Sequence, residues 1–223
     1  MVEQICDDYL LALDNLPEAL KKSYSQIKSN SLSFSDFDYS RVVANRLRAF
    51  YCAQNEIKKF LGKQIAPAGA DFFVETVLFC LRIFNDIEHL GLEILSERTV
   101  ARRRKSIRPD ITIWKEGKII AVIECKTQLG WMRKNWHSHF DEREKQLSEA
   151  FPESEMFWFV MTSCNWDGFE KALEDGLTTE KKLLCFLNKI WPTQIPKEIP
   201  KDPEISIFLT PIENLLKEIK RLS

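Results

Sequence analysis

Residues 109–126 read PDITIWKEGKIIAVIECK, and no other stretch constrains the chain as much. Two runs rich in isoleucine and valine, 110–114 and 118–127, flank Lys115-Glu116-Gly117. β-branched residues suit a pleated, half-buried surface, and glycine takes the left-handed position of a hairpin loop at least cost. The expected element is a β-hairpin with a three-residue loop. Trp114 then faces Lys118, and Asp110 faces Val122. Side chains alternate along a strand, so Asp110, Val122, Glu124 and Lys126 share one face. Ile111, Ile113, Ile119, Ala121, Ile123 and Cys125 share the other, which is wholly apolar. A two-residue loop at Glu116-Gly117 would instead set Asp110 opposite Ile123, on the wrong face. Ile120 and Val122 add apolar character to the second face, as expected of a strand covered on both sides.

Two carboxylates and a lysine thus converge at the end of an apolar strand. Carboxylate oxygens suit hard divalent cations. Carboxylates with a cation in a dry setting suit phosphoryl chemistry, in which charge develops on oxygens and must be neutralised. Glu-x-Lys alone carries little weight, since it occurs five times in the chain, whereas Pro-Asp occurs once. Only Glu124/Lys126 ends a strand paired with that Pro-Asp segment. A surface hairpin with a cross-strand ion pair is the plainer reading of the same residues. It leaves unexplained why charge sits where burial makes an unpaired charge costly.

These residues resemble the motif of the PD-(D/E)xK nuclease superfamily, with its restriction-endonuclease-like fold. The order of elements from about residue 71 to 163 is similar to that family, which is under half of the chain. The resemblance implies a Mg²⁺-dependent phosphodiesterase, with Mn²⁺ as a substitute. It places metal ligands at Asp110 and Glu124, the lysine at Lys126, and a further acidic residue from the preceding helix at Glu75. Some branches carry a glutamine on the following helix with a tyrosine four residues later. Gln146 lies in that helix, but Ala150 stands at the tyrosine position, so that feature is not carried over.

The net charge is −1, so no global basicity advertises nucleic acid. Any polyanion site must come from local clustering. Arg98, Arg102, Arg103, Arg104, Lys105 and Arg108 run without an acid into Asp110, and a basic segment beside a metal site is placed to hold phosphates. Arg133 and Lys134, just after the second strand, are further candidates for phosphate contact. The 41–63 helix carries Arg41, Arg46, Arg48, Lys58, Lys59 and Lys63 against Glu56 alone, which suits either a DNA backbone or a solvated face. His137 and His139 form H-x-H without another ligand at zinc spacing. The six cysteines show no paired spacing and fit a reducing cytoplasm. The N-terminal residues lack a basic-then-apolar leader pattern, and no apolar run is long enough for a membrane span.

Along the chain, 1–22 reads as a helix interrupted near Pro17, 23–40 as a serine-rich loop, and 40–61 and 71–90 as helices. Then come a strand at 92–98, the hairpin, a helix over 134–151, a strand over 156–163, and helical pieces over 167–191 broken near Gly176. Residues 204–209 suggest a short strand. Thr210-Pro211-Ile212-Glu213 has the form of a capping box opening a last helix. The expected fold is α/β, a restriction-endonuclease-like core over 67–223 with a mixed central sheet flanked by helices, plus an N-terminal helical part over 1–66. With the resemblance, the expected function is a Mg²⁺-dependent DNA endonuclease of type II restriction type. It would act as a homodimer on double-stranded DNA and leave a 5′ phosphate. A repair or structure-selective nuclease of the same fold is the alternative. So is a catalytically silent module that binds nucleic acid or a partner protein.

Overall fold

The structure, a computed structural model, describes residues 7–30, 33–65, 69–97, 108–129, 136–166, 168–174, 183–199, 207–209 and 212–223, with the backbone alone for 36, 136–140 and 172–174. Five strands form one mixed sheet in the order β1-β2-β3-β4-β5: β1 (Glu93–Ser96), β2 (Ile111–Lys115), β3 (Lys118–Lys126), β4 (Glu155–Thr162) and β5 (Leu183–Leu187). The first three are antiparallel, while β4 and β5 run parallel to β3. Among the described residues the α-helices are α1 (Asp8–Ser29), α2 (Tyr39–Phe60), α3 (Ala70–Ile87), α4 (Trp136–Ala150), α5 (Phe169–Glu174) and α6 (Ile212–Leu222). This is the expected mixed α/β architecture with its N-terminal helical part.

The two faces of the sheet bury different clusters. On one, Ile111, Ile113, Ala121, Ile123, Cys125, Phe157 and Phe159 pack with Phe73 and Val77 of α3, Val43 and Leu47 of α2, and Leu215 and Ile219 of α6. Phe73 stacks on Phe159 with ring centroids 5.5 Å apart. On the other, Val122, Trp158 and Val160 pack with Leu147 of α4 and Phe169 of α5. β3 is therefore covered on both sides, which is why its middle reads as a continuous apolar run.

The hairpin reaches the expected facing by a different route. Its loop has two residues, Glu116 and Gly117, because Lys115 pairs with Lys118. Both loop residues have positive φ, 49° and 79°, as a two-residue hairpin turn requires. Taken alone, that loop would turn Asp110 toward the core. A β-bulge compensates: Trp114 pairs with Ile119 but Ile113 with Ala121, so Ile120 is an extra residue on β3. Beyond the bulge Thr112 faces Val122 and Ile111 faces Ile123, which returns Asp110 to the face of Glu124. The bulge also exchanges two neighbours. Ile119, expected on the core face, packs against the Val122 cluster, and Ile120 packs against the other.

Other expectations are corrected. α1 runs unbroken through Pro17 and continues to Ser29, so most of the expected 23–40 loop is helix or a 3₁₀ turn at Phe34–Asp36. Residues 183–187, expected within a helix, form β5. Leu-Leu-Cys-Phe-Leu is a short apolar run, whose period cannot separate a buried strand from a helix. Of the 204–209 segment, Phe208 forms an isolated bridge to Leu187, while 204–206 lie outside the described residues, as do Gly176, Thr210 and Pro211. Glu213 reaches across the fold to α2. Its carboxylate accepts from the Ser40 N–H at 2.7 Å and from the Ser40 hydroxyl, and Ser40 Oγ accepts from the Ile212 N–H at 3.1 Å. One serine and one glutamate thus cap two helix starts.

Two variants test this register. A Cβ added at Gly117 meets no atom within 4 Å, so Gly117→Ala puts only the left-handed backbone at stake. We expect a loss of about 1–2 kcal/mol in urea unfolding. Deleting Ile120 removes the bulge but leaves Ile113 paired with Ala121 and Ile111 with Ile123, so the deletion chain is expected to keep cooperative unfolding. In a bulge-free hairpin the same deletion would turn Asp110 to the apolar face, so loss of cooperative unfolding would refute the register.

Candidate active site

β2 begins one residue after Asp110, and the end of β1 holds that residue by its backbone. The Asp110 carbonyl accepts from Ser96 Oγ at 2.9 Å and from the Glu97 N–H at 3.2 Å. Its carboxylate turns to β3. Past the Ile111–Ile123 pair, Asp110 Oδ2 accepts from the Cys125 N–H at 2.7 Å and from Lys126 Nζ at 3.3 Å. Lys126 Nζ also donates to Glu124 Oε2 at 3.1 Å. The three residues that the sequence singles out therefore meet, with one ammonium joining both carboxylates.

Glu124 lies on β3 opposite Trp158 of β4 and is 2% exposed. A carboxylate so buried needs partners, and it has a second cation that sequence reasoning missed. Arg143 of α4 grips it side-on, with Nη2 2.9 Å from Oε1 and Nε 3.4 Å from Oε2. The same Nη2 donates to the Arg108 carbonyl at 3.2 Å. The fold explains the placement. Leu147 anchors α4 on Val122 and Trp158, and a residue four earlier lies on the same helix face. The signal was present in the sequence: Arg143 interrupts the apolar stripe Phe140–Leu147–Phe151 at the spacing of the stripe itself.

The cluster holds two carboxylates and two cations, so it is neutral. Burial alone would lower the pKa of Lys126. Glu124 and then Asp110, by charge and hydrogen bonding, outweigh that, and the net shift is upward. Lys126 is an ammonium at neutral pH in this arrangement. Its near neighbours are carboxylates, which favour the charged form. Its Nζ lies 5.9 Å from the centroid of the Trp158 ring. Burial also pushes the Cys125 thiol well up, with the Asp110 charge adding to it.

The remaining candidates fall apart from this centre or outside the described residues. Glu75 is exposed on α3, and the charge it meets is that of Arg46 on α2. Among the described residues no hydrogen bond or ion pair links it to Asp110, Glu124 or Lys126. Arg108 has an exposed side chain and contributes its carbonyl to Arg143. Arg102, Arg103, Arg104, Lys105, Arg133 and Lys134 lie outside the described residues. Several of the α2 cations have structural partners. Arg41 binds Asp38 and the Ile199 carbonyl, Lys59 pairs with Glu56, and Arg46 lies 3.6 Å over the Phe79 ring.

A divalent cation fits this donor set. One Nζ touches both Asp110 Oδ2 and Glu124 Oε2, so the two carboxylates turn toward one point that a cation already occupies. Both are hard oxygen donors, and Mg²⁺ commonly takes one or two carboxylates and keeps waters or substrate phosphates for its other positions. Among the described residues no group of three or more His, Cys, Asp or Glu could hold a metal, so Asp110 and Glu124 are the candidate ligands that those residues offer there.

Burial makes the geometry checkable through its thiols. In a Cys6→Ser background, an aromatic disulfide reagent is expected to label Cys52 and Cys164, which are partly exposed, and to leave Cys80, Cys125 and Cys185 unlabelled until the chain unfolds. Rapid native labelling of Cys125 would mean that the Glu124–Lys126 segment is not packed as described.

Among known proteins, the family model for the type I restriction enzyme R protein N terminus matches residues 15–170. That span is more than two thirds of the chain and runs from α1 into α5, so it includes Asp110, Glu124, Lys126 and Arg143. No curated protein and no solved structure matches the chain. The chain belongs to the type I restriction enzyme R protein N-terminus family.

Proposed function

We propose that this member of a restriction-system family is a Mg²⁺-dependent DNA endonuclease of the PD-(D/E)xK kind. The observation that carries the reading is the bridge from Lys126 Nζ to Asp110 Oδ2 and Glu124 Oε2 at the buried end of β3. The family match supports a type I restriction setting over a free-standing type II enzyme. Cytoplasmic double-stranded DNA is the substrate this reading implies. No helix among the described residues is long and apolar enough to cross a membrane. A homodimer would present one such site to each strand.

Asp110 and Glu124 would hold the metal, which supplies a Lewis acid for the scissile phosphate and a lowered pKa for the attacking water. Lys126 stabilises the charge that grows on the phosphate oxygens, and its raised pKa keeps it cationic for that task. The Cys125 N–H and the end of β1 hold Asp110 in place, so the carboxylate pair is set before substrate arrives. The basic residues from Arg98 to Arg108 lead into this site in sequence and would hold DNA phosphates on either side of it.

Supercoiled plasmid should be nicked or linearised in Mg²⁺ or Mn²⁺ and left intact in chelator. Asp110→Asn and Glu124→Gln should each lower cleavage by about a hundredfold or more with the circular dichroism unchanged. Retained cleavage in either purified variant would count against the assignment. Lys126→Ala should lower turnover more than DNA affinity, because its charge acts on the transition state. Equal losses would give it a binding role.

The basic segment has its own test. Binding is measured in Ca²⁺ over a salt series for the wild type and for a variant with Arg102, Arg103 and Arg104 changed to alanine. The variant should bind all sequences more weakly, with a salt slope flatter by up to about one unit per lost contact. An unchanged slope would make these arginines a solvated run.

A further inference from the structure

We infer that Arg143 is a positioning residue for the metal-binding carboxylates, acting through the fork geometry of its guanidinium rather than through its charge. The inference rests on the proposed metal site and adds a component from outside the hairpin. Three contacts carry it. Arg143 Nη2 and Nε meet the two oxygens of Glu124 at 2.9 and 3.4 Å. The same Nη2 meets the Arg108 carbonyl at 3.2 Å, in the residue before Pro109-Asp110. A single planar group thus joins α4, the Glu124 carboxylate and the segment that delivers Asp110.

The two cations at Glu124 are not equivalent. Lys126 Nζ lies on Oε2 and on Asp110 Oδ2, so it joins the two carboxylates that would hold the metal. Arg143 alone bonds Oε1 among the described contacts. Arg143 therefore holds Glu124 by an oxygen that Lys126 does not touch. A positive charge beside a cation site opposes binding. Its place there is accounted for by what it does to Glu124, which at 2% exposure has no water shell to orient it. A rigid fork fixes the rotation of a carboxylate, whereas an ammonium is a point charge that does not.

The test is Mn²⁺ binding to the full chain by isothermal titration calorimetry without DNA, at a temperature below every melting transition. The wild type is compared with Arg143→Gln and Arg143→Lys, each checked by thermal unfolding. Both variants are expected to lose metal affinity by about tenfold or more, as partners that orient ligands commonly do. The lysine variant should fail to rescue the glutamine variant. Arg143→Lys keeps the charge that balances Glu124, so it carries the test if Arg143→Gln does not fold. Unchanged or tighter Mn²⁺ binding in the variants would overturn the inference while leaving the metal site standing. Affinity fully restored by lysine would show that charge suffices and overturn the fork. No Mn²⁺ binding by the wild type would overturn the metal reading itself, and this inference with it.

Discussion

The end of β3 buries a carboxylate, and the surrounding architecture answers that burial. Glu124 is closed in by β4 on one side and α4 above, where an unpaired charge would be costly. Lys126 and Arg143 neutralise it from two directions, and Asp110 makes the balance even. Each partner comes from a different element: β3 itself, α4, and the start of β2. Their meeting depends on the hairpin register, on the Leu147 anchor of α4 and on the tie from Asp110 to β1. A buried ion cluster is weak evidence for stability, since well-packed apolar side chains of the same volume would often serve as well.

The sheet divides structural from chemical duties. α2, α3 and α6 cover one face with the larger cluster, including Phe73, Phe84 and Leu47. The reciprocal caps between Ser40, Ile212 and Glu213 lock two of these helices together although their sequence positions are 172 or more residues apart. Glu75 and several of the α2 cations belong to this side, and their described partners are structural. The other face carries the smaller cluster and, at its rim, the charged residues. β3 serves both because alternation sends Ile123 and Cys125 one way and Val122, Glu124 and Lys126 the other.

Much of this was legible in the sequence because it rests on period. Alternation in 118–126 set the facing of Glu124 and Lys126, and the single Pro-Asp picked out their partner. What was not legible depended on contacts between distant elements. The bulge at Ile120 could not be seen, since a three-residue loop without it and a two-residue loop with it give the same facing for Asp110. β5 is five apolar residues long, too short for its period to tell strand from helix. The capping-box pattern before Ile212 was read locally, yet Glu213 serves Ser40 across the fold. Arg143 is the instructive omission. Attention to charges in a row found the arginines at 102–104, whereas the cation that reaches Glu124 is one arginine set in an apolar stripe.

That contrast gives a general way to read such chains. A charge on the polar side of an amphipathic helix is satisfied by water and carries little information. A charge at a stripe position is delivered into the packed layer, so something there must pair with it. In α4, Arg143 occupies such a position one turn from Leu147. Alternation along β3 and the segment entering β2 sends Asp110 and Glu124 to the face that α4 covers. The pairing of Arg143 with Glu124 then follows from two independent periodicities, 3.6 in the helix and 2 in the strand, meeting at the rim of the sheet. Two basic stretches adjoin these elements in sequence: 98–107 ends directly before Arg108, and Arg133 and Lys134 precede the first turn of α4. A neutral, tightly paired cluster flanked in sequence by unbalanced positive charge suits a polyanion. In the proposed function its phosphates would meet the surplus charge, and the paired carboxylates would hold the metal.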